Sequence, residues 1–310
     1  MKNIKEFKRS SNGLLIPNQD VVFQALFGTK GSENILGGFL SSILGEKVDN
    51  ISLDANQNLT REEIEEKHGI VDLKANVGNK TTVHIEVQMI DPHNMFKRLL
   101  WYWARIYGIQ LKNTENYSKL KKTIAILIVN YDIRKFESFE DAHTKWELLE
   151  KRNLDIRPFE DIEIHILELP KILKNHNATK KDLRTWLEFL LNPESEEVMM
   201  SKEEYKELNE AYEKLEYISE NENLRRHADL MLMAILDENS KREAIKEQEE
   251  RIQKGKEELQ KGQDELQKGQ DELQKSKEEF AKSLLKMNLD INEIAKMTKL
   301  SIEQIQKLSS

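Results

Sequence analysis

The sequence predicts a mixed α/β sheet with helices on its faces, followed by an all-helical tail. Three observations carry that expectation. Apolar residues in the first 190 positions switch repeatedly between helical spacing and strand alternation. The last of the five prolines is Pro193, so the strongest helix breaker is missing from the remaining chain. Beyond it, Ile245, Ile252, Leu259, Leu266, Leu273 and Phe280 recur at intervals of seven.

The elements follow in order. Residues 20–27 and 33–44 have helical spacing, and Gly45 ends the second helix. Residues 51–53 suggest a short strand. Residues 70–77 alternate, and so do 83–89, with Gly78-Asn79-Lys80 between them as hairpin chemistry. Phe96, Leu99, Leu100, Trp103, Ile106 and Tyr107 mark a helix over 94–112. The run KTIAILIVN at 122–130 reads as a strand covered on both faces. Ile162, Ile164 and Ile166 alternate with Glu163 and His165 in a further strand, and Leu183, Trp186, Leu187 and Leu190 mark a helix to pack on it.

Composition narrows the function classes. Cysteine is absent, which excludes disulfides, thiolate zinc sites and thiol nucleophiles and fits a reducing cytoplasm. No apolar run reaches the ~18 residues of a membrane span, and the first residues lack a secretory core. With 48 basic against 56 acidic residues the net charge is −8, so any DNA contact has to be local.

The two alternating strands hold the candidate chemistry. Asp72, Lys74 and Asn76 share one face of the first, and His84, Glu86 and Gln88 share one face of the second. Directly opposite residues of an antiparallel pair lie on the same side of the sheet. A two-residue loop would set Leu73 against His84, whereas a three-residue loop sets Val77 opposite Thr81, Lys74 opposite His84 and Asp72 opposite Glu86. The odd loop is therefore expected, with a left-handed residue at Asn79 or Lys80. Two adjacent carboxylates beside a Gln amide oxygen suit Mg²⁺ or Mn²⁺ rather than zinc. The competing reading is a solvent-facing strand surface with Lys74 neutralising the acids. His84, beside Glu86, is a candidate proton carrier, but it reads first as a partly exposed structural histidine.

The spacing Asp72…Glu86-Val87-Gln88 resembles the D…(E/D)xK signature of the PD-(D/E)XK nuclease superfamily, with Gln in the Lys position. More specifically, the chain resembles the recombination-promoting nuclease/putative transposase (Rpn) family. PNQDVVFQALFG at 17–28, GIVDLKA at 69–75 and VHIEVQ at 83–88 carry the likeness, with Arg98, Tyr102, Tyr107, Gln110-Leu111, Tyr117 and TIAILI after them. The resemblance spans about residues 15–190. It implies a restriction-endonuclease-like fold and a metal-dependent DNA endonuclease, with Asp72 and Glu86 as metal ligands and Gln88 in the catalytic lysine's place. Asp20 matches a further site acid, and a helix N-cap is its competing role. Gln88 can orient water but brings no charge, so Lys74 or a second cation would have to supply it. Lys97, Arg98 and Arg105 are candidates for the DNA backbone, with plain surface solvation as the alternative. Lys119, Lys121 and Lys122 form a small basic knot. The aromatic residues of this helix read as core before base-stacking platforms.

The tail completes the organisation. Residues 1–192 form the nuclease-like domain, 193–240 a helical extension, 241–280 a low-complexity heptad helix and 281–310 a small helix-turn-helix-like segment. The heptad stretch has one apolar seam where a coiled coil has two, and its partner seam carries Gly255, Gly262 and Gly269. It reads either as a long helix joining copies into a homo-oligomer or as a solvated spacer. The last segment turns at 288–290 and near 298–301, and serves DNA reading or a capping bundle. A DNA-binding protein of the same fold that does not cut, oligomerised by its tail, is the alternative to the enzyme.

Overall fold

The computed structural model describes residues 13–53, 73–112 and 114–308. Packing divides the chain into two compact units, Met1–Glu238 and Asn239–Ser310. The first unit opens with helices α1 (Asp20–Phe27) and α2 (Glu33–Leu44). Then come strands β1 (Ile51–Leu53), β2 (Leu73–Val77) and β3 (Thr81–Gln88), helix α3 (Met95–Gly108) and strand β4 (Lys122–Val129). Strands β5 (His143–Leu148) and β6 (Phe159–Glu168) lead into α4 (Leu169–Lys174), α5 (Lys181–Leu191), α6 (Glu196–Ser201) and α7 (Lys206–Ser219).

Among the described residues the strands form one mixed sheet in the order β1-β2-β3-β4-β6-β5. β1, β2 and β3 are antiparallel neighbours, while β3, β4 and β6 run parallel. Parallel neighbours need a crossover, and α3 occupies the one between β3 and β4. The hairpin adopts the odd register that the apolar face demands: Val77 faces Thr81, Lys74 faces His84 and Leu73 faces Ile85. Its left-handed residue is Gly78, at φ 55°, rather than Asn79 or Lys80. Lacking a Cβ, glycine takes that conformation without the steric cost the other two would meet. Gly45 likewise ends α2 at φ 73°, its N–H bonded to Ser41 O at 2.9 Å.

Strand β5 was not expected from the sequence. It lies at the sheet edge, antiparallel to β6, with most side chains exposed and a register shift at Glu147/Leu148. With neither face buried, no alternating pattern marks it.

Both faces of the central strands are covered. Ile124, Ile126 and Ile128 of β4 join the larger core with Phe23, Phe39, Leu187 and Leu215 from α1, α2, α5 and α7. Ala125, Leu127 and Val129 face the other way, onto Met95 and Leu99 of α3 and onto Phe136. That second layer decides the fate of the polar side of β3, because it removes His84 and Glu86 from solvent altogether.

A long helix, α8 (Glu222–Lys286), starts in the first unit and contributes to the second. The second unit continues with α9 (Ile291–Thr298) and α10 (Ile302–Leu308), with turns where the sequence puts them. Ala281, Leu284, Ile294, Leu300 and Ile305 form its core. Asp290 caps α9. Ser301 and Gln304 exchange side-chain to backbone bonds at 3.2 and 2.9 Å, a reciprocal cap for α10. The seam from Ile245 to Phe280 is exposed in the single chain, and a Cβ added at Gly255, Gly262 or Gly269 would meet nothing within 4 Å. No described helix is long and apolar enough to cross a membrane.

Candidate active site

Strands β3, β4 and β6 end together, with Gln88, Val129 and Glu168 in register. The C-terminal edge of parallel strands is where open α/β sheets gather ligands. Alternation on β3 sends Val83, Ile85 and Val87 into the larger core and His84, Glu86 and Gln88 toward α3. On α3, Arg98 and Tyr102 are one turn apart and meet them. The Arg98 guanidinium packs over the Tyr102 ring at 5.6 Å, and Tyr102 stands edge-on to His84 at 5.8 Å.

Glu86 is the centre of the cluster and is fully buried. Its Oε1 accepts from Arg98 Nη2 and, at 3.2 Å, from Gln88 Nε2. Its Oε2 has no hydrogen-bond partner. Asp20, the first residue of α1, leaves a buried Oδ1 unpartnered, and so does Gln24 Oε1 one turn later. Burial pushes the Glu86 carboxyl up to about 7, the charge of Asp20 adding to the rise while Arg98 opposes it. Asp20 is raised by burial to about 6, against the pull of its own backbone N–H and of Arg98. One guanidinium therefore serves two carboxyls, and burial makes both hold their protons more tightly than an exposed acid would. His84 is the reverse case: burial, then Arg98 and Lys74, lower it to about 3, so the ring is neutral.

The structure places the other sequence candidates as follows. Asp72 lies outside the described residues. Lys74 is half-buried, opposite His84. Arg98, expected on the DNA backbone, instead turns inward to Glu86. Arg105 stacks over the Trp101 ring at 5.3 Å, and Lys97 is exposed. Asp20 is not the helix N-cap; Gln19 holds that position and makes no side-chain capping bond. His84 is fully buried rather than partly exposed, with neither ring nitrogen bonded, because α3 covers its strand face. The basic knot pairs with acids: Lys119 with Glu115 at 3.0 Å and Lys122 with Glu163 at 2.6 Å. Tyr102 is buried as core, whereas Trp101 is exposed.

One residue beside the site escaped the sequence reading. Tyr131, whose hydroxyl is raised by burial and by the charges of Asp91 and Glu86, follows β4, and no local pattern marks it.

The donors left open here, from Glu86 and Asp20, are both carboxyl oxygens. An orphaned buried carboxylate oxygen is costly, and hard divalent cations prefer such ligands. These residues fit a Mg²⁺-type ion. Another group, His176 with Glu188 and Glu197, also brings ligand atoms together, but it is satisfied internally: His176 Nε2 lies 2.8 Å from Glu197 Oε2, and Arg184 Nε lies 3.0 Å from Glu197 Oε1.

Comparison with curated proteins and with solved structures gives no significant match. The model of the PD-(D/E)XK nuclease family transposases matches residues 17–244, a span that holds the whole sheet, the acids of α1 and β3, and Arg98. The fold, the inward-facing carboxyls and this match agree, and the chain belongs to the PD-(D/E)XK nuclease family transposases.

Proposed function

We propose that the chain is a metal-dependent DNA endonuclease that hydrolyses phosphodiester bonds, acting in recombination or mobility within the cytoplasm. Asp72 and Glu86 hold Mg²⁺ or Mn²⁺ in this reading, with Asp20 as a further acid of the same pocket. The observation that carries it is the fully buried Glu86, whose Oε2 lacks a partner beside a second unpartnered carboxyl oxygen, that of Asp20. A bound divalent cation supplies a Lewis acid for the phosphate and lowers the pKa of water. The rest falls to the chain itself. Arg98 and Gln88 grip Glu86 Oε1 and so fix the direction of Oε2. Gln88 keeps its own amide oxygen to orient water. Gln88 brings no charge in the lysine's place, so Arg98 from α3, a permanent cation, faces the negative charge that develops on phosphorus, with Lys74 across the hairpin. Lys97 and Arg105 meet the DNA backbone. Homo-oligomer formation runs through residues 241–280 in this reading.

A second reading has one observation in its favour. Arg98 already neutralises Glu86, as expected of a protein that binds DNA without cutting it. Incubating supercoiled plasmid with Mg²⁺, Mn²⁺ or EDTA separates the two. The enzyme nicks only with metal, and Asp72→Ala or Glu86→Ala falls to the EDTA level. Gel shifts with no nicking in any metal select the binding protein.

A further inference from the structure

Strand β5 ends the sheet order, so one of its edges bonds to β6 and the other pairs with no described strand. Alternate residues of a strand direct their N–H and C=O groups to opposite edges. Glu168 N donates to Ala142 O at 2.8 Å, which turns Ala142, and with it Thr144 and Trp146, toward β6. His143, Lys145 and Glu147 therefore aim their backbone groups outward. Asp141 Oδ1 accepts from His143 N at 3.0 Å and closes that end of the edge. The stretch from Lys145 to Glu147 stays open among the described residues, and an open edge is a template for another strand. The same strand carries an apolar surface: Trp146 is 41% and Leu148 51% exposed, with Phe139 beside Trp146 at 6.5 Å.

We propose that β5 pairs antiparallel with β5 of a second copy of this chain, the two-fold axis passing at Trp146, so that one sheet continues across two protomers. Faces and charges select this register. A two-fold axis through the sheet leaves every side chain on its own face, so it has to pass at a residue of the strand. At Lys145 or Glu147 it would set like charges directly opposite. At Thr144 it would set Lys145 against His143, whose N–H is already taken. Nearer either end, Lys145 and Glu147 would fall opposite loop residues. At Trp146 it sets Lys145 opposite Glu147 of the other copy, twice, and each outward N–H meets an outward C=O. Within one chain Lys145 Nζ stands 3.4 Å from Glu147 Oε1 and 3.3 Å from Glu163 Oε2, and Arg157 Nη1 stands 3.1 Å from Glu147 Oε2. Pairing therefore makes the four charges of Lys145 and Glu147 alternate in sign. On the other face the two Trp146 rings meet at the axis, and each Leu148 lies opposite Thr144. So short a contact falls below the ~1,200 Å² that a stable interface buries. It therefore rests on the self-association of residues 241–280 proposed above, which raises the local concentration of one edge around the other.

Cross-linking of the full chain tests the register, and the absence of native cysteine means that an introduced thiol meets only its own kind. At the axis the two Cα atoms are ~4.5 Å apart, within reach of a disulfide. Under mild oxidation Trp146→Cys should give a covalent dimer. Thr144→Cys with Leu148→Cys in one chain should do the same while keeping Trp146. Thr144→Cys alone and Leu148→Cys alone should give several-fold less, because each lies four residues, ~13 Å, from its own copy. Light scattering on the same samples separates the two contacts. A mass above one copy with no cross-link beyond the single-site controls overturns the edge pairing and leaves the tail contact, whatever else then covers the edge. A mass of one copy removes the tail contact, and the cross-links at raised protein concentration then decide. The same pattern there supports the edge pairing, and equal yields at every site overturn it.

Discussion

Glu86 and Glu163 are both buried glutamates on central strands, and their surroundings set them in opposite states. Glu86 has one guanidinium to share with Asp20 and is raised to about 7. Glu163 lies on the other face of the sheet with an acceptor filled on each oxygen: His165 Nε2 sits 2.7 Å from Oε1, Lys122 Nζ donates to Oε2 at 2.6 Å, and Lys145 Nζ stands 3.3 Å away. Burial works against its charge, but the bonds from His165 and Lys122 win and hold it well below the usual carboxylate range. His165 passes the chain on to His143, 2.7 Å away and lowered by burial to about 4. A depressed carboxyl adds stability above its unfolded value of about 4.5, and that stability is lost as pH falls. A depressed histidine becomes a cost to the fold as pH drops from about 6.5 toward 4, because the unfolded chain takes up the proton first. Both act in the same direction. Glu163→Gln should therefore cost about 1.5–3 kcal/mol at pH 7. In urea titrations the gap to wild type should close toward pH 3. A gap independent of pH would show that the charge of Glu163 is not what stabilises the sheet here.

At the scale of elements, helix packing places the functional groups, and its tolerances are small. Helix α3 buries Met95, Leu99, Tyr102 and Ile106 at spacings of three and four, and this fixes Arg98 over Glu86. On the opposite face α2 approaches α5 and α7 so closely that a Cβ on Gly38 would lie 2.5 Å from Glu207 Cβ and 3.1 Å from Trp186 Cζ2. Alanine is the better helix former by ~1 kcal/mol, but overpacking of this kind costs ~1–3 kcal/mol. Gly38→Ala should therefore lower stability on balance. A thermal melt shifted upward would mean that α2 and α7 can move apart freely. Local sequence made most of these helices legible: α2 ends at its glycine, and α5 shows its stripe of Leu183, Trp186, Leu187 and Leu190. It could not show which helix covers which strand face, and so misplaced His84 and Arg98.

For the molecule as a whole, the exposed heptad seam is the feature a single chain leaves without explanation. Three glycines within one helix cost roughly 1 kcal/mol each relative to alanine, and no neighbour in the chain accounts for them. Self-association through 241–280 gives both features a role, because small residues let a second helix approach the Ile/Leu side closely. Light scattering on the full chain should then give a mass above that of one copy. Leu259→Lys with Leu266→Lys should return it to a single copy with helix content unchanged. A monomer before any substitution would leave the stretch as a solvated spacer.

By itself the sequence determined the mixed sheet, the hairpin register and the family, because side-chain parity, turn chemistry and ordered motifs are local properties of the chain. Lys74 opposite His84 follows from alternation, which demands an odd loop, together with the three-residue turn. Tertiary structure decided the rest. Strand β5 exists because β6 offers an edge, and His84 is buried because α3 lies on it. Arg98 turns inward because a carboxyl waits one layer below. Burial and pairing depend on what another segment brings to the same place, and no stretch of sequence carries that information about its distant neighbours.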